Sequence, residues 1–239
     1  RDVLGSRGLG DVYKRQKFMR DNTGKYTSLL WEPNEYINIM VYPFTDSQIL
    51  GISTFPYSLK DFFLEGTQQV SASWITLENL SFPYCISINS SYIYEQSTDE
   101  RINQNDAAIT LAHELGHYLG LRHVFSEGGT TSMCTDTDYC KDTPSYNRSE
   151  YEQWLNNLDK QNKYQLKDLA KRYSCEKGEY EAHNIMDYAY CFYNEITLEQ
   201  RKRIRHILNY SPLIPGPKES RIDTRGVQGR LNLPICIMK

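Results

Sequence analysis

The chain has no apolar run of 18 residues or more, so nothing in it reads as a membrane-spanning helix. It has no large excess of charge: 27 Lys and Arg stand against 30 Asp and Glu, giving a net charge of -3 and a pI near 6.0. That balance argues against nucleic acid or an anionic membrane as the main partner. None of the six cysteines has C-x-x-C spacing, which disfavours a zinc ribbon or a dithiol redox motif. There is no internal repeat and no visible signal peptide. The first residue is Arg and not Met, so the chain reads as a mature form or a fragment, and a missing signal says nothing about secretion. Histidine is scarce, with five in 239 residues, and three of the five fall within one stretch of eleven.

That stretch is His113 to His123, H-E-L-G-H-Y-L-G-L-R-H. On a helix His113 and His117 are four residues apart, so both imidazoles leave one face and can grip a single zinc ion. Glu114 then lies beside the metal but not on it, where its carboxylate can take a proton from a water. Gly120 lets the chain leave the helix through a backbone angle that other residues resist. The turn returns His123 as a third nitrogen ligand. Three protein ligands leave one position open, which is the arrangement of a catalytic zinc site and not of a structural one. A bare H-E-x-x-H is a moderate signal; the glycine and third histidine at fixed offsets make it specific. The competing account of the histidines is an amphipathic core helix in which they are merely satisfied.

The length suits one domain with two subdomains. Residues 1–16 resemble a translated sequencing-adapter tail and are read as non-native, with native sequence from Lys17; a flexible basic terminus is the alternative. Residues 17–123 form an N-terminal subdomain. Within it Tyr36–Tyr42, Ile49–Phe55, a short piece at Trp74–Leu77 and Cys85–Tyr94 read as strands. Asn105 or Asp106 caps a helix that runs through the histidine motif and, being apolar on most sides, packs on a sheet. Residues 124–211 form a C-terminal subdomain: a long loop at 124–147, a helix over Glu150–Tyr173, the segment H-N-I-M-D-Y at 183–188, and a helix opened by the capping box Thr197-Leu-Glu-Gln200. The run Arg201, Lys202, Arg203, Arg205 is placed toward the C-terminal half of that helix, where positive charge suits the helix dipole. Pro212, Pro215 and Pro217 end it, and residues 212–239 form a tail with little pattern. Four cysteines flank the histidine region, and disulfides in an oxidising compartment account for them best. Sequons occur at Asn79, Asn89, Asn147 and Asn209.

The long histidine motif followed by N-I-M-D-Y resembles the metzincin clan of zinc peptidases, which pair such a motif with a methionine turn beneath the metal. Y-I-N-I-M-V at 36–41, L-G-I-S-T-F-P at 50–56, D-T-P at 142–144 and the helix from Thr197 narrow the resemblance to the pappalysin family, which includes bacterial surface lipoproteins. The resemblance spans about 36 to 209, with an insertion-like stretch near 146–174. It implies an α+β fold: a twisted mixed sheet backed by the zinc-binding helix, then an irregular subdomain with the methionine turn and a final helix. It also implies a zinc endopeptidase acting on protein or peptide, secreted or held at the cell surface, with lipid anchoring of a full-length protein one form of this.

Residue by residue, the resemblance makes His113, His117 and His123 zinc ligands and Glu114 the general base. Met186 becomes the methionine of the turn and Tyr188 a stabiliser of the reaction intermediate. It suggests a Cys175–Cys191 disulfide and a Cys134–Cys140 pair. It also suggests calcium (Ca2+) held near D-T-P by Asp136, Asp138 and Asp142, for which a solvated acidic loop is the other reading. Two departures stand out. Relatives carry a strand and long helix before the first strand here, so the chain is read as N-terminally truncated. The aspartate that some relatives place shortly before the cysteine after the methionine turn, favouring a basic residue after the cut, has no counterpart just before Cys191, where Met186-Asp-Tyr-Ala-Tyr-Cys191 is shorter, so no Arg or Lys preference is expected. The extended substrate is expected to pair with the strand around Cys85–Tyr94. A metal-holding binding module without catalysis, and a zinc peptidase with glutamate as third ligand, are the competing functions.

Overall fold

A computed structural model describes residues 18–71, 75–94, 106–126, 137–159, 166–174, 176, 178–188, 190–218 and 235–238. The expected tail at 1–16 lies outside them. In chain order the strands are β1 (Ile39–Tyr42), β2 (Gly51–Thr54), β3 (Tyr57–Leu59), β4 (Gln68–Val70), β5 (Ile86–Asn89), β6 (Lys171–Ser174), β7 (Gly178–Glu181) and β8 (Ile235–Met238). The helices are α1 (Ala107–Tyr118), α2 (Arg148–Asp159), the single turn α3 (Leu166–Leu169) and α4 (Leu198–Tyr210). The architecture is α+β.

The main sheet is mixed, in the order β1-β5-β2-β8. β1 runs parallel to β5, and β2 runs antiparallel to both β5 and β8. Alternation along the strands divides the sheet into two buried faces. Ile86 and Ile88 turn toward α1 and share a core with Tyr57, Phe82, Tyr84, Tyr118 and Ile207. Ile52 and Cys85 point the other way, onto Phe18, Met19, Leu30, Tyr42 and Phe44. Each such side chain contributes about 1.5–3 kcal/mol through burial. With both faces of the sheet covered, α1 is held rigidly against β2 and β5.

Several expectations change against the structure. The strand read over Cys85–Tyr94 stops at Asn89, whose side chain accepts the Ser91 N–H at 3.1 Å and turns the chain into a 3-10 turn at Ser90–Tyr92. More consequentially, β5 is hydrogen-bonded on both edges, to β1 and β2, so it offers no edge to a substrate strand. The short strand expected at Trp74–Leu77 falls partly outside the described residues, and Leu77 opens a 3-10 turn capped by Thr76 and Asn79. The helix expected over Glu150–Tyr173 does not continue to its end: Lys171–Ser174 is β6, in a hairpin with β7. The tail after 218 contains β8, a full member of the main sheet.

The capping box at Thr197 is present in both halves, with the Gln200 N–H donating to Thr197 Oγ1 and the Thr197 N–H to Gln200 Oε1. Asp106 takes the N-cap position of α1 with extended backbone and no side-chain cap bond. The basic run does not occupy the last turn of α4, which carries no basic residue. Arg203 is instead buried and donates to the Gly120 and Glu65 carbonyls.

Candidate active site

Helix α1 buries His113, Glu114 and His117. Gly120 follows at φ +89°, as its role in breaking the helix requires, and a side chain there would also meet Ile207 Cγ1 at 2.8 Å. The turn is fastened from both flanks. Arg203 of α4 donates to the Gly120 carbonyl, and Arg122 donates to the Gly66 carbonyl at 2.6 Å. His123 returns to the first two histidines, with Phe125 stacked on its ring at 4.7 Å and 11°. The ligand nitrogens of His113, His117 and His123 all lie within 4.8 Å of one another, and all three residues are buried.

The outer hydrogen bonds decide which nitrogen faces inward. His113 Nδ1 donates to the Ile185 carbonyl at 2.7 Å, and His117 Nδ1 donates to the Leu121 carbonyl at 2.8 Å. A carbonyl can only accept, so each Nδ1 carries the proton and each Nε2 presents a lone pair. His113 Nε2 is buried without a hydrogen-bond partner. His117 Nε2 and His123 Nε2 are 3.0 Å apart. Converging buried lone pairs need a cation between them, and three imidazoles are a donor set that suits zinc. Burial pulls the His113 imidazole down to about 4, against the opposing pull of the Ile185 carbonyl. His117 and His123 are driven well below the usual imidazole range by burial and then by neighbouring imidazoles, His123 and His113 for His117 and His113 for His123. All three are therefore neutral near pH 7, which is the ligating form.

Glu114 is fully buried beside this cluster, against Gly51 of β2. A Cβ at position 51 would fall 2.6 Å from Glu114 Cγ and 2.7 Å from its Oε1, so the strand needs glycine there. Gly116, the glycine inside H-E-L-G-H, has a matching reason: a Cβ would lie 2.4 Å from Met186 Sδ.

Met186 thus sits directly under α1, fully buried. Each letter of N-I-M-D-Y has a job around it. The Asn184 Oδ1 accepts the Met186 N–H at 3.0 Å, while its Nδ2 donates to Gln200 of α4 at 2.8 Å. The Ile185 carbonyl holds His113, and the Met186 carbonyl accepts from Val124, next to the third histidine. Asp187 is buried against Arg172 at 3.4 Å and accepts the Tyr146 hydroxyl at 2.5 Å. Tyr188 lays its ring 5.6 Å from His113 and 4.5 Å from His123, centroid to centroid.

Several residues around the site carry no sequence motif. Arg172 from β6 is completely buried, packs 3.8 Å from the centre of the Tyr151 ring, and donates to the Tyr188 carbonyl at 3.1 Å. Arg148 places its guanidinium 4.5 Å from the Tyr188 ring centre. Phe125 was equally silent. The remaining expected residues lie further out. Asp138 Oδ2 accepts from Thr143 and Asp142 Oδ2 accepts the Glu199 N–H at the start of α4. Neither joins a cluster of three metal-ligating side chains among the described residues, and Asp136 lies outside them. Cys140 and Cys191 are buried free thiols. Their expected partners, Cys134 and Cys175, fall outside the described residues.

The family model for peptidase M43, described as pregnancy-associated plasma protein-A, matches residues 66–209, which holds every element of this site except β2. The chain belongs to the peptidase M43 family. The M43 chain is 31% identical over 188 residues to an extracellular metalloprotease of Arthroderma otae, and 30% identical over 188 residues to those of Arthroderma benhamiae and Trichophyton verrucosum. Each alignment covers 77% of this chain and 55% of the relative, so the chain spans about half the length of the curated relatives it matches. Among solved structures it is similar to mature mirolysin of Tannerella forsythia in complex with a cleaved peptide, at 22% identity and a TM-score of 0.44, over 77% of this chain and 57% of that one.

Proposed function

We propose that this chain carries the catalytic centre of a secreted zinc-dependent endopeptidase of the metzincin type. The observation that supports it most is the set of three buried imidazoles, two of them tied through Nδ1 to carbonyls, with Glu114 on the same helix face. His113, His117 and His123 would hold the zinc ion, which supplies Lewis acidity toward a water and a carbonyl oxygen. Glu114 takes the proton of the attacking water and delivers it to the leaving amine, converting a poor nucleophile and a poor leaving group in turn. Its burial beside Gly51 fixes the carboxylate before substrate arrives, which lowers the entropy cost of the step. The Tyr188 hydroxyl donates to the developing oxyanion, and Arg172, Asp187 and Arg148 hold its backbone and ring for that purpose.

The extracellular names of the related fungal proteins support secretion. In that setting Cys134–Cys140 and Cys175–Cys191 close as disulfides, and thiol counting on secreted protein reads this directly. Mass-spectrometric mapping of cleavage in a peptide library tests the activity. Cuts that stop on chelation and return with added zinc are the expected result. Cuts indifferent to chelation, or none from folded, zinc-loaded protein, overturn it.

A further inference from the structure

The peptidase reading requires an edge on which an extended peptide can lie beside Glu114. β5 cannot supply it, because both its edges are paired. β1 is separated from β2 by the whole width of β5. The edge beside Glu114 belongs to β2, since Gly51 of that strand is the residue the Glu114 side chain touches. This edge is already taken. β8 pairs with it antiparallel over four residues, Gly51 opposite Met238, Ile52 opposite Ile237, Ser53 opposite Cys236 and Thr54 opposite Ile235. The same strand also lies against α1, the helix that carries the histidines. The register therefore sets Met238 across from Gly51, which lies against the general base. Ile235 packs into the core around Ile52, on the sheet face away from α1, so the pairing is supported by side-chain burial as well as by backbone bonds. Glu114, His113 and His117 are all fully buried in this arrangement, although a peptidase must admit a chain to them.

We propose that residues 235–238 occupy in cis the strand-docking edge beside the catalytic centre, so that this segment and an extended peptide substrate exclude one another. The segment has the character of a β-augmenting ligand: extended, antiparallel, and anchored by the Ile235 side chain. Because it is tethered, its effective concentration is high, and a free peptide competes against it at a disadvantage. The chain then exists as a held form and a released form, and only the released form pairs with substrate. This inference rests on the peptidase reading, but the docking edge itself can be measured without turnover.

The test uses the full chain and Cys236→Pro. The Thr54 N–H goes to the Cys85 carbonyl, so by alternation the Gly51 and Ser53 amides face β8, and the β8 amides that face back are those of Met238 and Cys236. The proline removes one of these donors and the strand conformation around it, at a position outside α1. Hydrogen exchange at Gly51 and Ser53 is the first readout. The expected result is faster exchange in C236P at unchanged zinc content, with protection restored by adding a synthetic peptide of the sequence Asn232–Lys239. Hydrolysis of a peptide substrate is the second readout. C236P should show about tenfold higher kcat/KM, the factor for an edge free roughly a tenth of the time, and the added peptide should inhibit it competitively. Unchanged exchange at Gly51 and Ser53 overturns the proposal. So does faster exchange that the peptide does not restore, together with lower activity, which would make β8 a structural strand. Restored protection without hydrolysis by either form supports the docking edge and refutes the peptidase reading instead. A chain ended after Pro234 repeats the comparison should C236P fail to fold.

Discussion

Replacing Gly51 by Ala tests how tightly the general base is held. The added Cβ would stand 2.6 Å from Glu114 Cγ, 2.7 Å from Oε1 and 2.9 Å from Cδ, all well inside the 3.4 Å at which ordinary van der Waals contact begins. Three contacts to one side chain cannot be relieved by rotating its tip, because Cγ itself is the closest. Either the Glu114 carboxylate or β2 must shift by most of an ångström. Glu114 is fully buried, and β2 is pinned by β5 and β8, so neither has free room. A misplacement of about 1 Å costs roughly a hundredfold in a positioned catalytic step, which is about 2.7 kcal/mol of transition-state stabilisation. Overpacking should add about 1–3 kcal/mol of lost stability. His113 and His117 are anchored elsewhere, by the carbonyls of Ile185 and Leu121, so zinc content should be unchanged. The assay is kcat/KM on a peptide substrate beside zinc analysis and urea unfolding. A G51A protein within twofold of the parent kcat/KM would refute the reasoning, since Glu114 would then be either loosely held or not the base. Loss of zinc in parallel with activity would contradict it too.

The remaining predictions concern the frame around the site. Arg172→Met leaves Asp187 buried without its cation and should cost about 3–5 kcal/mol by urea unfolding; a loss under 1 kcal/mol would show that the pair is not buried in solution. Gly120→Ala meets both an unfavourable φ of +89° and Ile207, and should lower stability by about 1–2 kcal/mol for the backbone alone and weaken zinc retention under chelator. The metal-free protein should lose stability on acidification. The folded His113 pKa of about 4 lies below its ordinary 6.5, so the unfolded chain binds the proton first as pH falls. The stability present above pH 6.5 is lost progressively down to about 4, on the order of 3 kcal/mol for this residue, with His117 and His123 acting in the same direction. Urea midpoints that stay flat between pH 7 and 4.5 would contradict the buried neutral imidazoles.

The parts of the site that lie close together in sequence were legible before the fold was known. His113, Glu114, His117, Gly120 and His123 belong to one helix and one turn, so helical geometry alone places them. Thr197 and Gln200 form a local cap that reads equally well. What remained hidden depends on pairing between distant segments. Cys85–Asn89 alternates visibly, but whether an edge of that strand is open depends on β1 and β2. Residues 235–238 are only four strand formers without a turn signal, and nothing local says that their partner is β2. Gly51 and Gly116 look like ordinary glycines until Glu114 and Met186 are set against them. The basic run of α4 reads as charge suited to the helix dipole, whereas Arg203 is turned inward because the carbonyls of Gly120 and Glu65 need donors. Arg172 gave no signal at all: its stabilising partners are two tyrosine rings, a carboxylate and carbonyls, drawn from the stretches 146–151, 169–171 and 187–188.

The central claim is that a metal held by His113, His117 and His123 works together with the Glu114 carboxylate to hydrolyse peptide bonds. Glu114→Gln tests it most directly, because it keeps the size of the side chain and removes only its basicity. The measurement is kcat and bound zinc for both forms on the same preparation. The account predicts one zinc per chain in each and a kcat lowered at least a hundredfold in E114Q. Zinc-loaded E114Q that turns over peptide at a comparable rate would contradict it.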